Sequence, residues 1–483
     1  MSFGGLSIYL LIQTKVGLFV RLFLYFCFMI LCKKPAESCF QLLGLQKTSQ
    51  EESLRPFTFI VRKSIEEGEL FYNTMTKEMV LLSPDEVSRF DENPESIPEL
   101  VAHWFAVPIG HDDRLLARQY REVARLIAPP VKAISSYTIF TTTDCNARCF
   151  YCYELGRSRN PMSLETAERA AAYIIKQSNE EKVTLHWFGG EPLYNKSVIT
   201  LICKRLQENG IHYKSRMISN GYLFDQNTIL EAKNLWRLQS VQITIDGTED
   251  VYNKTKAFIY KNGNPYRVVI GNIHHLLEAD ISVNIRINVD VHNAENLLSL
   301  IEELHSEFEG AKKLSIYSHE LFDTDHLTFN KNETRRFIYE KRMQILQKLE
   351  EWGLVSPPSL SREVRYSFCM ADNDASVSIL TDGHLGKCEH YSDNNWFGHI
   401  DSPEHDEEVI SRFKALREEY EECAHCARYP DCIRLKMCQD IDECVAETRE
   451  EYIRHTQRAM LAAYEKFKKG ELTEKFDDDE AEA

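Results

Sequence analysis

Three cysteines in one short stretch, Cys145, Cys149 and Cys152, constrain this chain more than any other feature of its sequence. The preceding residues 136–142 are β-branched and aromatic, which predicts a buried strand and places the cysteines on the loop that leaves it. Three thiolates at this spacing suit three corners of a [4Fe–4S] cluster, which normally takes four protein ligands, so one iron would remain open for chemistry. Buried structural thiols, or part of a four-ligand zinc site, are the alternatives.

Composition limits the class of protein. A length of 483 residues predicts several domains, and 43% hydrophobic residues are enough for substantial cores. A formal net charge of −17 argues against a nucleic-acid partner, which would need a basic surface. The 14 cysteines are clustered along the chain, which in a large chain is typical of metal binding in a reducing compartment and not of a disulfide framework. We therefore expect a cytoplasmic protein.

The N-terminal segment, residues 1–34, contains an apolar run over 16–32 that Arg21 interrupts. The run is shorter than the about 20 apolar residues that a spanning helix needs. It is either a membrane anchor or signal-like segment, or an extension that precedes the true start of the protein, for example at Met29. Because oxygen-sensitive clusters are poorly suited to an exported protein, we favour the cytoplasm, with a membrane tether as the alternative.

Residues 57–128 predict a small α+β domain. Strands are expected at 57–62, 68–72 and 78–82, a helix beginning after Ser83, and further helices at about 96–105 and 112–127. This order is similar to the peptide-recognition elements attached to many peptide-modifying enzymes, although no single motif carries that similarity. A purely structural N-terminal cap is the alternative.

Residues 134–330 alternate between strand and helix patterns, which predicts an α/β fold with parallel strands and right-handed crossovers. The expected strands are 136–142, 183–188, 214–219, 240–245, 282–289 and 313–317. The expected helices are 163–177, 196–209, 226–236, 266–279 and 293–308. In barrels built this way the chemistry lies at the C-terminal ends of the strands.

Short motifs follow those strand ends in order. The second strand ends in Gly189-Gly190-Glu191-Pro192, the third in Ser219-Asn220-Gly221, and the fourth in Thr244-Ile245-Asp246-Gly247, while the fifth contains Arg286. Together with Cys145, Cys149, the aromatic Tyr151 and Cys152, this series resembles the radical SAM superfamily. The resemblance implies a partial (β/α)6, TIM-like barrel.

The same resemblance implies cofactors and their ligands. A [4Fe–4S] cluster would be bound by Cys145, Cys149 and Cys152, and S-adenosylmethionine would bind to the open iron, with Glu191 contacting its amino group and Thr244 donating or accepting a hydrogen bond. The residues expected at the S-adenosylmethionine site are Tyr151, Gly189, Gly190, Glu191, Pro192, Ser219, Asn220, Thr244 and Arg286.

A second set of cysteines follows a predicted helical linker over 331–364. The chain reads Cys369-x13-Gly383-x4-Cys388, a gap of 34 residues, then Cys423-x2-Cys426-x5-Cys432-x5-Cys438-x5-Cys444. This pattern is similar to the SPASM extension, except that five residues and not three separate Cys432 from Cys438. We assign 365–450 to a SPASM domain and 451–483 to a C-terminal helix and acidic tail. A zinc ribbon at Cys423-x2-Cys426 is the alternative.

The SPASM resemblance implies two auxiliary [4Fe–4S] clusters. Carried over residue by residue, one takes Cys423, Cys426, Cys432 and Cys444, and the other takes Cys369, Cys388 and Cys438. No further cysteine lies between Met370 and Lys387, so one iron of the second cluster is either open or bound by Asp372 or His390. Glu389 stands where the sulfatase-maturating enzymes have a proposed general base. Its alternative is an exposed acid in a hairpin.

These observations predict a peptide maturase that uses S-adenosylmethionine to modify a ribosomally made precursor peptide, possible products being a thioether or another crosslink. Its partners would be the peptide and a flavodoxin- or ferredoxin-like electron donor. The first alternative is an anaerobic sulfatase-maturating, formylglycine-forming enzyme. A non-catalytic Fe–S scaffold or sensor is the second.

Overall fold

The protein is described by a computed structural model. The ranges it describes are residues 29–30, 53–127, 130–152, 154, 158–179, 182–260, 262–321, 331–355, 358–361, 367, 369–390, 395–438 and 444–471.

The centre of the fold is a sheet in which six parallel strands lie side by side in chain order. These strands are β7 (Ser136–Thr142), β8 (Val183–Gly189), β9 (Tyr213–Ser219), β10 (Leu238–Thr244), β11 (Ser282–Val289) and β12 (Leu314–Glu320). All five neighbouring pairs are parallel. Each strand lies within about two or three residues of its expected position, so the predicted parallel α/β architecture is confirmed.

Helices connect these strands and cover one face of the sheet. Five fall where the sequence predicts them, and one further short helix, α7, follows β10. They are α4 (Leu164–Ser178), α5 (Lys196–Glu208), α6 (Gln226–Asn234), α7 (Glu249–Lys256), α8 (Pro265–Glu278) and α9 (Leu297–Glu307). Alternate strand residues such as Leu185, Trp187 and Val241 are fully buried against these helices in the main core. The period of two in burial explains why the strands read clearly from sequence.

The C-terminal cysteine region extends the same sheet. β13 (Ser376–Ile379) pairs in parallel with β7, so that Ser376 lies opposite Ser136, and two antiparallel strands follow. These are β14 (His384–Gly386) and β15 (Trp396–His399). The sequence predicts a separate domain from residue 365, but the hydrogen-bonded sheet continues across that boundary. Strand pairing between distant segments leaves no local signal, which is why the sequence does not reveal it.

The N-terminal region contains two small antiparallel sheets. One has the order β1 (Met29–Ile30), β5 (Met79–Leu82), β4 (Gly68–Asn73), β3 (Ile60–Ile65), and the other pairs β2 (Leu54–Pro56) with β6 (Ala106–Pro108). Its helices are α1 (Pro84–Glu92), α2 (Pro98–Ala102) and α3 (Asp113–Ile127). The expected helix start is confirmed, because Ser83 and Glu86 form a capping box.

Two predicted elements of this region differ in extent. The first long strand begins at Ile60 and not at residue 57, because Phe57 and Phe59 pack into a separate cluster with α3. The helix expected at about 96–105 is only α2, since the chain returns as β6 directly afterwards. Among the described residues no helix is long and apolar enough to cross a membrane. Apart from Met29–Ile30, the apolar run over 16–32 lies outside the described residues.

The N-terminal region packs directly on the C-terminal cysteine segment. Phe59 stacks on Tyr429 with ring centroids 5.8 Å apart, and the guanidinium of Arg121 donates to the carbonyl oxygens of Tyr429 and Pro430. The ammonium of Lys77, whose side chain is 1% exposed, lies 2.6 and 2.7 Å from the two carboxylate oxygens of Asp431. The segment between Cys426 and Cys432 is therefore held by another part of the chain.

Two long helices and one short helix complete this packing. The long helix α10 (Lys331–Glu351) follows the parallel strands, and the short helix α11 (Glu407–Lys414) packs near β15. α12 (Ala446–Lys468) lies against β3, where the amide of Gln457 donates to the carbonyl oxygen of Arg62 at 2.8 Å. The C-terminal helix α12 thus packs against the N-terminal sheet.

We expect Lys77→Met to lower the free energy of unfolding by about 3 kcal/mol, because it leaves the Asp431 carboxylate largely buried without its cation. Urea denaturation of the cluster-free protein measures the change. The double variant Lys77→Met/Asp431→Leu removes both charges and should recover most of the loss. A double variant as unstable as the single one would contradict this account.

Candidate functional site

The loop that carries Cys145, Cys149 and Cys152 is fixed at both ends. Before it, the hydroxyl of Thr142 accepts from the Asp144 N–H at 2.9 Å, and the Asp144 carboxylate accepts from the Cys145 N–H at 2.8 Å. Within it, the Arg148 N–H donates to the carbonyl oxygen of Lys256 at 2.8 Å. The loop is thereby tied to the C-terminal end of β7 and to the end of α7.

The three thiols are half-buried, free and within range of each other's charge. Burial raises the pKa of Cys145 to about 12, with the charges of Glu191, Cys149 and Cys152 adding to it. Burial likewise raises the pKa of Cys152. Thiolates here need a strong positive charge nearby, which iron provides. Three cysteine thiols are a set that three irons of a [4Fe–4S] cluster can use.

Gly189 and Gly190 bring the end of β8 against this loop. Gly189 has φ +127°, and a Cβ there would lie 2.1 Å from the carbonyl oxygen of Thr142. A Cβ on Gly190 would lie 2.4 Å from the carbonyl oxygen of Asp144. The Gly190 N–H donates to Thr142 and the Glu191 N–H to Asp144, both at 2.9 Å. Only glycine permits this backbone approach.

Glu191 lies fully buried behind the glycines and joins two strand ends. Its carboxylate accepts from the Ser219 hydroxyl at 2.9 Å, from the Asn220 N–H at 2.8 Å and from the Leu193 N–H at 3.1 Å. Burial raises its pKa to about 7, and these hydrogen bonds act in the opposite direction. The neighbouring Pro192 is also buried, and its carbonyl oxygen accepts from the Thr141 hydroxyl at 3.0 Å. The Glu191 carboxylate is thus engaged with protein donors.

Asn220 extends this network to the cysteine loop. Its amide donates to the Asn146 side-chain oxygen at 2.6 Å and lies 3.7 Å from the Cys145 sulfur. The amide nitrogen of Asn146 is buried and has no hydrogen-bond partner among the described residues. The ends of β7, β8 and β9 are therefore linked through Asn146, Asn220 and Glu191.

Tyr151, the aromatic residue between the cysteines, forms a buried triad with Asp246 and Lys256. Its hydroxyl donates to the Asp246 carboxylate and accepts from the Lys256 ammonium at 2.6 Å, and the Lys256 nitrogen lies 3.0 Å from Asp246. Burial raises the pKa of Tyr151, with the charge of Asp246 adding to it. Burial lowers the pKa of Lys256, but the charges of Asp246 and Cys149 outweigh that effect and raise it. The triad is a closed, charge-balanced unit.

The ends of β10 and β11 complete this edge of the sheet. Thr244 lies opposite Arg286 in the strand register, and the Arg286 guanidinium donates to the Asn288 side chain at 2.8 Å. Beside Tyr151 and Asn288 is a cavity of about 50 Å³. Of the residues predicted to bind S-adenosylmethionine, Tyr151 lines this cavity, whereas Thr244 and Arg286 lie beside each other on neighbouring strands.

The C-terminal cysteines separate into two groups. Cys423, Cys426, Cys432 and Cys444 lie within range of each other's charge: burial raises the pKa of Cys426 and of Cys432, and neighbouring thiols of the group add to it. The Arg449 guanidinium lies 3.3 Å from the Cys444 sulfur. These four are the residues that the resemblance assigns to one auxiliary cluster.

Cys369, Cys388 and Cys438 form the other group, next to Glu389. Burial raises the pKa of Cys388 to about 12, with Glu389, Cys369 and Cys438 adding to it, and burial also raises the pKa of Cys369. One carboxylate oxygen of Glu389 is buried and has no hydrogen-bond partner within the described ranges. Glu389 is therefore half-buried beside thiols. The alternative prediction for this residue is an exposed acid in a hairpin.

Sequence reasoning did not identify Lys256 or Asn146 as site residues. Lys256 ends a short helix whose many charged residues are typical of a solvent-exposed helix. Its ammonium is nevertheless buried beside Asp246 by the tertiary structure. Asn146 had one available signal, its position inside the cysteine loop. Asp246 appeared in a strand-end motif, but its partner Lys256 is the last residue of α7, one helix further along the chain.

The family model of the radical SAM superfamily matches residues 139–304. Native anSMEcpe with bound AdoMet superposes with a TM-score of 0.51 at 13% identity, over 68% of this chain and 98% of that one. The same protein with AdoMet and a Kp18Cys peptide gives 0.50 at 15% identity, over 68% and 98%. SuiB of Streptococcus suis with S-adenosylmethionine gives 0.46 at 13%, over 77% and 93%. No curated protein matches the sequence significantly.

We expect Gly189→Ala to lower the free energy of unfolding by about 2–3 kcal/mol, because the new Cβ meets the Thr142 carbonyl and the φ angle is unfavourable for alanine. Denaturant unfolding, together with iron content after reconstitution, measures the effect. Gly271→Ala is the matched control. It lies in α8 with open space around it and should be neutral or stabilise by up to about 1 kcal/mol. Equal effects of the two variants would contradict the proposed close approach.

Proposed function

The chain carries a radical SAM domain over residues 139–304, and from this premise we propose that it is a peptide maturase with two auxiliary clusters in a SPASM-type C-terminal region. The observation that carries the proposal is the separation of the seven C-terminal cysteines into a group of four and a group of three beside Glu389. A protein of the same fold has been crystallised with AdoMet and a Kp18Cys peptide, which supports a peptide as substrate.

Residues at the strand ends would hold the cofactors. Cys145, Cys149 and Cys152 would bind three irons of a [4Fe–4S] cluster, and the glycine pair would border S-adenosylmethionine on the open iron. When bound, this pair supplies a 5′-deoxyadenosyl radical after one-electron reduction by a flavodoxin- or ferredoxin-like donor in the cytoplasm. The protein residues position the cofactor and the substrate C–H bond and exclude water.

Glu191 has a positioning role in this proposal. Its carboxylate already accepts three hydrogen bonds from Ser219, Asn220 and Leu193, so it aligns the strand ends and leaves backbone groups of the Gly189–Glu191 turn to face the cofactor. The buried triad of Tyr151, Asp246 and Lys256 holds the aromatic ring within the cysteine loop. Both features reduce the reorganisation needed when the cofactor binds.

The three-cysteine group supplies the second half of the reaction. Cys369, Cys388 and Cys438 would hold three irons of an auxiliary cluster, and its fourth iron, unless bound by Asp372 or His390, could bind a substrate thiolate. Thioether formation would require the substrate carbon to lose a hydrogen atom and the thiol to lose a proton and an electron as the C–S bond forms. Glu389 could accept the proton, and the auxiliary clusters would supply the electron acceptor.

Formylglycine formation is the second candidate. It is favoured by the fold shared with anSMEcpe, a sulfatase maturase. Against it stands the lack of a further cysteine between Met370 and Lys387 in the sequence. Mass spectrometry of a cysteine-containing peptide separates the two products, because a thioether keeps the sulfur and removes two hydrogens, whereas formylglycine formation converts the cysteine CH2SH group to an aldehyde and loses the sulfur.

We expect Cys149→Ala to abolish 5′-deoxyadenosine formation, because Cys145 and Cys152 alone cannot hold the [4Fe–4S] cluster that would reduce S-adenosylmethionine. The measurement is chromatography after anaerobic reconstitution with iron, sulfide, dithionite and S-adenosylmethionine. Cys203→Ala is the control, because Cys203 lies fully buried in the main core away from the loop. If the unaltered protein binds iron but forms no deoxyadenosine, the result would favour the alternative of a non-catalytic Fe–S scaffold or sensor.

We expect Cys388→Ala to abolish crosslinking of the peptide while deoxyadenosine formation continues, because the variant removes a ligand of the substrate-binding cluster only. The substrate to use is a cysteine-containing peptide that the unaltered enzyme crosslinks, and the product is scored by mass spectrometry. Crosslinking that persists in Cys388→Ala would exclude a role for this cysteine group in binding the thiol.

A further inference from the structure

The barrel strands present a second face, which is turned away from the helices and which we call the inner face. Burial alternates along each strand: in β9, Lys214 is half-buried and Arg216 and Ile218 are exposed, whereas the residues between them are buried. The same alternation marks β8 and β10. The inner face is therefore open to solvent near β9.

The strand register places the inner-face residues in rows. Arg216 lies between His186 of β8 and Ser240 of β10, and Lys214 lies opposite Thr184. Gln242 and Asn284 are paired further along. At about 3.3 Å per residue, Arg216 is about 10 Å from the end of β9, where Asn220 contacts the cysteine loop. A substrate reaching the strand ends through the barrel would pass these side chains.

The charges on this face are all of one sign. Its inward positions on β7–β12 include Lys214, Arg216 and Arg286 but no aspartate or glutamate among the described residues. The terminal acid of β12, Glu320, is opposite Val289 and faces the other way, toward Arg342. Burial lowers the pKa of His186, and the charge of Arg216 adds to that effect, which favours a neutral imidazole beside Arg216.

Two of these cations have no counterion in the part of the chain that the structure describes. Neither Lys214 nor Arg216 has an ion pair or side-chain hydrogen bond with any described residue, whereas Arg286 donates to Asn288. The formal net charge of the whole chain is −17, so acidic residues outnumber basic ones in the protein as a whole. An unpaired cationic cleft in an acidic protein attracts anions locally, because low-dielectric walls focus its field.

We propose that the part of the substrate peptide that enters the barrel is acidic, and that its carboxylates pair with Arg216 and Lys214. This inference rests on the proposed peptide-maturase function and adds the charge of the peptide to it. The guanidinium of Arg216 can donate two parallel hydrogen bonds to one carboxylate. Such a bidentate contact fixes the position of the acidic side chain along the strand. Contacts this far from the reacting carbon would set which peptide residue reaches the strand ends.

The test compares two synthetic peptides of one sequence, each with a single cysteine, that differ only in carrying three glutamates or three lysines. Binding to the reconstituted enzyme with S-adenosylmethionine, without reductant, is measured by fluorescence anisotropy. We expect the glutamate peptide to bind at least about tenfold more tightly than the lysine peptide, and Arg216→Glu to remove that preference. Arg216→Lys should retain most of it.

Lys204→Glu is the matched control, because Lys204 is exposed on the outer helix α5. It makes the same change of charge outside the barrel and should leave the preference unchanged. Equal effects of Arg216→Glu and Lys204→Glu, or no binding of the glutamate peptide, would overturn the proposal. Deoxyadenosine formation by the unaltered enzyme is measured in parallel: its absence counts against the proposed function, whereas its presence with charge-independent binding counts against this inference alone.

Discussion

The rest of the site depends on the close approach of two backbone segments, the glycine pair at the end of β8 and residues 142–144 at the end of β7. Cβ atoms at Gly189 and Gly190 would lie 2.1 and 2.4 Å from carbonyl oxygens of that segment. Because the cysteine loop begins immediately afterwards, its position relative to the sheet follows from this contact. The buried carboxylate of Glu191 then joins the third strand end to the first two.

Buried charge is arranged differently in the two parts of the site. Around Tyr151, Asp246 and Lys256 neutralise each other, so the loop gains rigidity without a net charge. Around Cys145 and Cys388 burial favours the neutral thiols, so thiolates there would need a nearby positive charge such as that of bound iron. If clusters bind at these cysteines, their assembly and the local folding are expected to be linked.

The N-terminal region belongs to the same physical unit as the C-terminal cysteines. The Lys77–Asp431 pair and the Phe59–Tyr429 stack hold the segment between Cys426 and Cys432, and Gln457 of α12 covers the Arg62 carbonyl on β3. The proposed role of this region in peptide recognition therefore has to be compatible with its structural one. Anything that displaces it would also release the segment that carries two predicted cluster ligands.

The sequence by itself determined the parallel strands, the helices between them and the residues at the strand ends, because burial on one face imposes a period of two on strands and a helical period on their connections. It also predicted the grouping of cysteines through family resemblance. Tertiary structure alone decided that β13 joins β7, that Lys256 is buried beside Asp246, and that Lys77 reaches Asp431. These contacts join residues far apart in the chain or depend on burial, and neither leaves a periodic signal in the sequence.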